Sequence, residues 1–471
     1  MRSSPVLSPA DAAYRPDTKA QGSGPAMDIA QVIDTRPLSV FQLRTIVLCA
    51  LVALSDGFDT QILAYVAPRM APDIGMAPSS LGLLVSLGLA GMVVSGLLGG
   101  IVADRFGRRP VILGSLLLFS LATVAKGGIT AFAAMPPLQL LAGLGLGSAY
   151  VNALALTGEY APARIRRFAV TCASTAYPLG GILASYVSAA ALPGFGWRMV
   201  FIGGGAVSFG FFLLSVAFLP ASVRQLLLPR RASERVTAIM ARIAPDLSRD
   251  TVWISSEVAP ERVPLLELFT ADRFMLTVLL AVAVTSTLTA AYFVTSWSPT
   301  LLARSGVALG HAIILTGLLH GGAVIGSLIW AWLADRNWPP AVIGAAAAIT
   351  AIGLSAIGHF TGVYSLLFMA CFLGGVGMGV QNAYYGLIAA IYPTAIRGTA
   401  LGFIIGVGRV GSIAGPLMGG ALLARHWSTA AIYHVAGGLS LVSLACMILA
   451  STLAAPRRLI ARSRSSVTSN A

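Results

Sequence analysis

The chain has 471 residues, of which 56% are hydrophobic and only 10% are charged. Soluble proteins carry about 25% charged residues, so this composition excludes a soluble globular protein and indicates a membrane protein with many spans. In so apolar a chain, the formal net charge of +14 indicates basic loops at a membrane surface rather than nucleic-acid binding.

The first 43 residues are polar and rich in proline, serine and charge, a composition that is typical of disorder. The apolar run that follows is too long for the hydrophobic region of a signal peptide and has no clear cleavage site. We therefore expect residues 1–43 to form a disordered cytoplasmic tail without a cleavable signal.

Two aspartates, Asp56 and Asp59, interrupt the first long apolar run. A charged side chain at the centre of a bilayer costs about 2.5–3.5 kcal/mol on insertion scales. Because residues three apart lie on one face of a helix, the pair faces protein or a water-filled cavity rather than lipid. Neighbouring carboxylates also raise each other's affinity for a proton, so Asp56 and Asp59 are candidate proton-coupling residues.

Because a membrane span needs about 20 apolar residues, the apolar runs predict an all-α membrane protein with twelve transmembrane helices. The predicted spans, numbered one to twelve, are 44–66, 80–103, 111–132, 137–158, 168–191, 200–219, 274–297, 310–333, 341–359, 364–391, 399–424 and 430–453. They form an N-terminal half (44–219) and a C-terminal half (274–453), with a cytoplasmic linker (220–273) between them and a basic cytoplasmic tail (454–471). Residues 235–243 form either a basic amphipathic helix on the membrane surface or part of a solvated linker.

The arginines predict the direction of the spans. Most of them fall in loops on the side of the N-terminus, and the loops on the other side hold only Arg69, Arg198, Arg304 and Arg425. Because basic loops stay in the cytoplasm, both termini are expected to be cytoplasmic, with the chain crossing a bacterial cytoplasmic (inner) membrane many times.

Two sequence elements recur at a nearly constant spacing. The segment Gly100-Ile-Val-Ala-Asp104-Arg105 follows span two, and a similar segment that ends in Asp335-Arg336 follows span eight. A Gly-x-Gly-x-Gly element ends at Gly147 in span four and again at Gly379 in span ten. The distance along the chain from Asp104 to Asp335, which we call the repeat spacing, equals that from Gly147 to Gly379 to within a single position. This agreement indicates duplication of a six-helix half, and parallel halves of this kind hold the substrate site between them near the midplane.

With these elements the chain resembles the major facilitator superfamily over nearly its whole length. The strongest motif is Gly100-x-x-x-Asp104-Arg105-Phe106-Gly107-Arg108-Arg109, the family's signature between spans two and three. The resemblance implies that Asp104 docks on the positive N-terminal end of span eleven, and that the arginines pair with carboxylates such as Glu159. The expected latch on the inner face consists of Gly100, Asp104, Arg105, Gly107, Arg108, Arg109, Glu159 and Arg397.

Within the superfamily, three segments are similar to the aromatic acid:proton symporters. They are Asp56-Gly57-Phe58-Asp59-Thr60 in span one, 295–301 at the end of span seven and 408–416 in span eleven. The resemblance implies proton-coupled import of a small aromatic carboxylate, similar to hydroxybenzoate, by alternating access.

One departure from the family affects the site. The superfamily usually has an arginine in span four before the Gly-x-Gly element, and this chain has Gln139 there. The missing cation removes a candidate partner for a carboxylate. A non-aromatic carboxylate or a sugar therefore stays open as the substrate.

Arg409 is the main candidate for binding a carboxylate. Counted from Thr399, it lies about 15 Å deep, close to the midplane of a core about 30 Å thick. A planar guanidinium can bind a carboxylate through two hydrogen bonds. Asp56 and Asp59 are its expected counter-charges, whereas Lys126, nearer the outer end of span three, is expected to extend to the outer surface.

The other candidate substrate contacts are polar or aromatic side chains that can stack on a ring and hydrogen-bond to its substituents. They are Gln139, Asn152, Tyr177, Tyr292, Trp297, His320, Gln381, Asn382, Tyr384 and Tyr385.

We expect a monomer that needs neither a metal nor a cofactor. No ATP-binding loop or nucleophile–base arrangement occurs in the sequence, so we expect neither ATP-driven transport nor an enzyme. Its partners are then a small organic acid, protons and the lipid bilayer, without nucleic acid. An efflux antiporter and a non-transporting sensor of the same fold remain alternatives.

Overall fold

The computed structural model describes residues 26–77, 79–226, 233–247, 251–254, 264–270 and 273–468. Eleven helices in these ranges are long and apolar enough to cross a membrane. The long helices are Val40–Asp73, Ser80–Phe106, Arg108–Gly127, Met135–Tyr160, Ala163–Phe218, Phe274–Arg304, Leu309–Arg336, Pro339–His359, Tyr364–Met378 followed by Gln381–Ile391, Thr394–Ala424 and Thr429–Thr468. The short elements are β1 (Ala26–Asp28), β2 (Val252–Ile254), the helices Ile29–Thr35, Val223–Leu226 and Ser233–Ile243, and the 3₁₀ turns Phe132–Ala134 and Leu265–Phe269.

The longest helix, Ala163–Phe218, contains two predicted spans. Its 56 residues would reach about 84 Å at 1.5 Å per residue, far more than a hydrocarbon core of about 30 Å. Gly196, with φ of 74°, breaks the helix between predicted spans five and six. The eleven helices therefore make twelve crossings, which confirms the predicted all-α architecture of two six-helix halves.

Matching glycine contacts confirm the duplication of the two halves. Gly143 of span four lies on the backbone carbonyl of Gly88 in span two, and Gly375 of span ten lies on that of Leu319 in span eight. The repeat spacing relates the two contacts to within a single position. Glycine allows this close approach of helices because it has no side chain to separate them.

The two ends of the bundle differ in how the halves meet. We call the end with Arg108 and Arg166 the basic face and the end with Asp73 and Arg198 the opposite face. At the opposite face, Ser86 Oγ of span two donates a hydrogen bond to a carbonyl of span eleven over 2.7 Å. One hydrophobic core includes side chains of both halves on this side of the molecule.

On the side of the basic face, the second half has a hydrophobic core of its own. Leu276, Tyr384 and Ile396 belong to this separate cluster, all of whose members lie in the second half or just before it. The halves therefore pack together at the opposite face and separate toward the basic face. A cleft between the halves follows, closed at one end and open at the other.

The segment before span one is ordered from residue 26, so the prediction of a disordered tail is wrong for residues 26–43. Asp34 accepts a hydrogen bond from the backbone N–H of Ala163 over 2.7 Å and pairs with Arg166 over 2.8 Å. A carboxylate at a helix N-terminus stabilises it by meeting its free N–H groups, and this contact anchors the segment. Residues 1–25 lie outside the described residues.

The linker between the halves docks on the first half. Its helix Ser233–Ile243 has the predicted amphipathic form, with Val236 and Met240 buried in the core of the first half. Strand β2 pairs in parallel with β1, and Arg36 pairs with Asp246 over 2.6 Å. The helix therefore packs against protein through its apolar side. The parts of the linker that lie outside the described residues are 227–232, 248–250, 255–263 and 271–272.

Candidate functional site

Span one packs closely against span five at Gly57. This glycine lies directly on the backbone carbonyl of Tyr177, where a side chain would collide with it. The contact holds the neighbouring aspartates inside the bundle, with Asp56 0% and Asp59 3% exposed. The predicted direction of both carboxylates, away from lipid, is confirmed.

Asp59 has its partners within the first half. Thr123 of span three donates a hydrogen bond to Oδ1 of Asp59, and Nζ of Lys126 lies 3.7 Å from Oδ2. Lys126 is 0% exposed, and its Nζ lies 5.7 Å from the ring centroid of Phe201 in span six. The prediction that Lys126 extends to the outer surface is wrong, because a buried carboxylate and an aromatic face attract the ammonium inside the bundle.

Asp56 lies apart from this ion pair. Thr60 donates a long hydrogen bond of 3.4 Å to Oδ1 of Asp56, and Oδ2 has no hydrogen-bond partner among the described residues. Electrostatic interactions connect Asp56 to Asp59 and, from the other half, to Arg409. The structure thus separates the two expected counter-charges of Arg409, since Asp59 pairs with Lys126 whereas Asp56 has no such ion pair in the described ranges and interacts electrostatically with the guanidinium.

Four tyrosines lie close to the guanidinium of Arg409, two from each half. Tyr150 and Tyr177 come from spans four and five of the first half, and their rings pack edge to face with centroids 5.8 Å apart. Tyr292 and Tyr385 come from spans seven and ten of the second half. We call these four residues the tyrosine ring.

The tyrosine ring borders accessible space between the halves. Arg409 is partly exposed, Tyr385 is 38% exposed, and Tyr177 of the first half interacts with Tyr292 of the second. A guanidinium can bind a carboxylate with two parallel hydrogen bonds. Phenol groups can stack on an aromatic ring and exchange hydrogen bonds with hydroxyl substituents. Chemically, the arrangement fits an anion with an aromatic body.

Three predicted substrate contacts instead use their polar atoms to join helices. The hydrogen bonds are Trp297 Nε1 to the carbonyl of Pro416 (3.0 Å), Asn152 Nδ2 to that of Gly99 (3.3 Å), and Tyr384 Oη with Ser443 Oγ (2.6 Å). Buried polar groups need such partners, and these side chains find theirs on helix backbones and neighbouring spans. The structure does not bring their polar atoms to the tyrosine ring.

The remaining predicted contacts lie at other helix contacts. Gln139 packs over Gly88 in span two, and His320 packs over Gly181 in span five. Oε1 of Gln139 and Nε2 of His320 are buried and lack a hydrogen-bond partner in the part of the chain that is described. Gln381 is half-buried at the start of its helix. The side chain of Asn382 lies outside the described residues.

Some of the predicted latch residues contact one another within the first half. Arg108 Nε lies 2.9 Å from Oε1 of Glu159, as the sequence predicts, and Ser222 donates a hydrogen bond of 2.6 Å to Oε2. Gly107 has φ of 102°, which glycine adopts without strain, and this lets span two turn directly into span three. Arg109 donates a hydrogen bond of 2.7 Å to the carbonyl of Val216.

Between the halves, the expected contact of Asp104 with span eleven is missing among the described residues. Asp104 and Arg105 are exposed, and no hydrogen bond or ion pair among the described residues connects Asp104 to span eleven. A side-chain atom at Gly100 would meet open space, and Nε of Arg397 has no hydrogen-bond partner within the described ranges. The expected docking of Asp104 is therefore not made in this conformation, because the halves have separated at the basic face.

Sequence reasoning missed two residues of this region. Tyr150 completes the tyrosine ring, and Lys126 neutralises Asp59. A tyrosine in mid-span was the only signal for Tyr150. Lys126 was visible as a cation in an apolar span, but its partner lies two spans earlier in the chain.

Within the described residues, no group of three or more His, Cys, Asp or Glu side chains could hold a metal ion.

Two pseudo-symmetric six-helix halves, with a cation and aromatic groups between them, define a secondary membrane transporter. The model of the Major Facilitator Superfamily matches residues 49–384 and, in an overlapping second match, residues 305–468. The chain belongs to the Major Facilitator Superfamily.

Two relatives cover nearly the whole chain. This chain is 34% identical over 409 residues to the 4-hydroxybenzoate transporter PcaK of Acinetobacter baylyi. The aligned region covers 86% of this chain and 90% of that protein. The chain is 32% identical over 403 residues to a gallate transporter of Pseudomonas putida, which covers 84% of this chain and 89% of that protein.

The fold also matches solved structures. An inward open structure of the xylose transporter XylE from E. coli superposes with a TM-score of 0.66 at 18% identity, covering 86% of this chain and 95% of that one. A D-xylose-proton symporter structure has a TM-score of 0.66 at 20% identity and covers 86% and 97% of the two chains. At these identities the likeness concerns the fold alone.

Proposed function

We propose that the protein imports a small aromatic carboxylate together with protons across the bacterial cytoplasmic membrane. The observation that carries this proposal is Arg409, which interacts electrostatically with Asp56 and lies close to tyrosines from both halves. A site built from both halves can bind its ligand in one conformation and release it in another when the halves rock.

The substrate class follows from the groups around the cleft. Arg409 holds the carboxylate, and the tyrosine ring stacks on the aromatic body and hydrogen-bonds to its hydroxyl groups. The named substrates of the two relatives, 4-hydroxybenzoate and gallate, combine a carboxylate with a hydroxylated ring. A hydroxybenzoate therefore fits both the chemistry of the site and the relatives.

The proton is assigned to Asp56, whose Oδ2 has no hydrogen-bond partner among the described residues. Lys126 and Thr123 hold Asp59 in place beside it. Protonation of Asp56 changes the charge that Arg409 faces, so that proton and substrate binding influence each other. Asp59 contributes to coupling through its repulsion of an ionised Asp56.

The orientation of the chain follows from the charge of the two faces. The basic face is cytoplasmic under the positive-inside rule, which puts both termini in the cytoplasm. The cleft then opens to the cytoplasm, in the state that releases substrate. The protein acts as a monomer and is driven by the proton gradient without a cofactor.

Uptake in proteoliposomes tests the proposal. Purified protein is reconstituted, a pH gradient is imposed, and accumulation of radiolabelled 4-hydroxybenzoate is measured with and without an uncoupler. We expect accumulation that the uncoupler abolishes and that benzoate and gallate inhibit more than aliphatic acids or xylose do. Inhibition by xylose or aliphatic acids alone would favour the non-aromatic alternative, and gradient-driven extrusion would favour efflux.

Asp56→Asn tests the assignment of the proton. The variant should lose uphill accumulation but keep exchange of labelled for unlabelled substrate, because exchange needs no net proton movement. Asp73→Asn is the matched control, since Asp73 lies in the same helix at the opposite face with its side chain 49% exposed. Uncoupler-sensitive accumulation at the wild-type level in Asp56→Asn would reject the role of Asp56.

A further inference from the structure

A pocket of about 440 Å³ opens at the basic face, away from the central cleft. Four arginines line it, and no acidic residue is among its described lining residues. Arg44 comes from the start of span one, Arg109 from the start of span three, and Arg235 and Arg242 from the linker helix. We call this the arginine pocket.

The four arginines of this pocket differ from three other arginines on the same face. Arg36, Arg108 and Arg166 each form an ion pair with a carboxylate, at 2.6, 2.9 and 2.8 Å. None of the four pocket arginines forms an ion pair within the described residues. The Nε atoms of Arg44 and Arg109 are buried without a hydrogen-bond partner in those residues. Like charges placed together without counter-charges attract an anion.

Aromatic rings hold two of the guanidinium groups in place. The guanidinium carbon of Arg44 lies 5.3 Å from the ring centroid of Phe41 and 5.1 Å from that of Phe218, and that of Arg242 lies 5.6 Å from the Phe41 centroid. Arg109 is fixed by its hydrogen bond to the carbonyl of Val216. Three of the four cations are thus held in place before a ligand arrives, which lowers the entropy cost of binding.

The surroundings of the pocket select the kind of anion. Phe218 at its edge is 46% exposed, and Val216 and Leu213 on the same span are 42% and 53% exposed. Exposed apolar side chains at the end of a membrane span face lipid chains. An anionic group that enters the pocket from the bilayer can therefore keep its apolar chains on span six. Basic pockets at the cytoplasmic ends of spans are known to bind acidic lipid head groups.

We propose that the arginine pocket binds the phosphate group of an anionic membrane phospholipid. The phosphate contacts Arg44 and Arg109 of the first half and Arg235 and Arg242 of the linker helix. The acyl chains of the lipid lie along Phe218 and the outer side of span six. A bound lipid then ties the linker, which connects the two halves, to the first half alone.

Lipid titrations of the purified full-length protein in a neutral detergent test this site. Phosphatidylglycerol, phosphatidylcholine and inorganic phosphate are added separately, and thermal unfolding and native mass spectrometry report binding. We expect phosphatidylglycerol to raise Tm and to stay bound in the mass spectrum, phosphatidylcholine to do neither, and inorganic phosphate to act only at much higher concentration. An equal effect of inorganic phosphate would overturn the lipid assignment in favour of a soluble anion.

The double variant Arg235→Gln/Arg242→Gln removes half of the charge from exposed positions on the linker helix. It should bind phosphatidylglycerol about 30-fold more weakly, from the contribution of each basic side chain near an anionic lipid. Arg164→Gln/Arg167→Gln, which removes the same charge from exposed positions at the start of span five, should bind as the wild type does. Equal weakening in both double variants would reduce the effect to general surface charge and reject the pocket.

Discussion

Spans two and four of the first half pack against each other as spans eight and ten of the second half do. Gly147 lies on the carbonyl of Met92, and Gly379 lies on that of Ala323, so the repeat spacing relates these contacts too. The same spacing relates a proline in the helix of span one, Pro68, to Pro299 in that of span seven. The helix scaffold is thus common to the two halves.

The buried polar groups of the halves are different. The first half buries Asp56, Asp59 and Lys126, whereas the repeat spacing pairs Asp56 with Thr287 of the second half. Thr287 joins a neutral network with Tyr384 and Ser443, at oxygen–oxygen distances of 3.1 and 3.2 Å. Close packing between helix backbones does not depend on the polar side chains elsewhere in the spans. The same helix arrangement can therefore carry buried charges in one half and neutral hydrogen-bonding groups in the other.

This difference has a consequence for transport. The acids lie in one half and Arg409 lies in the other, so the attraction between them changes whenever the halves move. Coulomb energy falls with distance and with the entry of water. A charge pair divided between two moving bodies can therefore link proton binding to conformation, which a pair within one half cannot do.

Breaking the buried ion pair of Asp59 and Lys126 should have the largest effect. Lys126→Met leaves Asp59 buried without a counter-charge and should lower the free energy of unfolding by about 3–5 kcal/mol. The double variant Lys126→Met/Asp59→Asn removes both charges and should recover most of that loss. Thermal unfolding in detergent measures both. Equal instability of the single and double variants would show that Lys126 does not serve as the counter-charge of Asp59.

The double variant also separates stability from coupling. If Asp59 serves only structure, a stable double variant should accumulate substrate as the wild type does. We expect it to bind and exchange substrate but to accumulate it poorly, because Asp56 has lost its charged neighbour. Accumulation at the wild-type level would restrict coupling to Asp56.

Removing the cation of the second half should come next. Arg409→Gln deletes a charge-assisted bond to the substrate carboxylate, worth about 1.5–3 kcal/mol, and should lower uptake about 10- to 100-fold. The fold should lose less stability than in Lys126→Met, since Arg409 forms no ion pair in the described part of the chain. Arg425→Gln, at an exposed position near the opposite face, is the control. Unchanged binding of 4-hydroxybenzoate in Arg409→Gln would remove the carboxylate from this position.

The scaffold could be predicted from sequence far better than the site. Length, hydropathy and the repeated glycines depend on local composition, so the spans and the duplication followed from them. The partner of Asp59 depends on which face of span three meets span one, and twelve spans leave many such choices. Trp297 and Asn152 are polar side chains in apolar spans because they form hydrogen bonds between helices. The sequence alone does not distinguish this structural role from substrate binding.

The ordered segment before span one also lay beyond sequence reasoning. Its composition is that of a disordered tail, but Asp34 meets the free N-terminal end of span five. A single cap of this kind contributes about 1 kcal/mol. No sequence pattern within residues 26–43 predicts which helix Asp34 caps. Distant partners decide the order of such segments.

The shared packing predicts equal sensitivity at equivalent glycines. Gly143→Val and Gly375→Val each force a side chain into a backbone of the neighbouring span, and overpacking of this kind costs about 1–3 kcal/mol. The two variants should lower Tm by similar amounts, whereas Gly114→Val, at a position with open space beside it, should change it little. A large difference between the first two would mean that the halves are not equivalent in packing.

The smallest effects should distinguish the two tyrosines that follow each other in span ten. Tyr384 is 1% exposed and bonds to Ser443 over 2.6 Å, so Tyr384→Phe should lower the free energy of unfolding by about 1 kcal/mol and leave the KM of uptake unchanged. Tyr385 is 38% exposed beside Arg409, so Tyr385→Phe should leave Tm unchanged and raise KM. Thermal unfolding and uptake kinetics on both variants check this reversal. Loss of one hydroxyl then affects stability at Tyr384 and substrate binding at Tyr385, and identical effects of the two substitutions would contradict this difference in role.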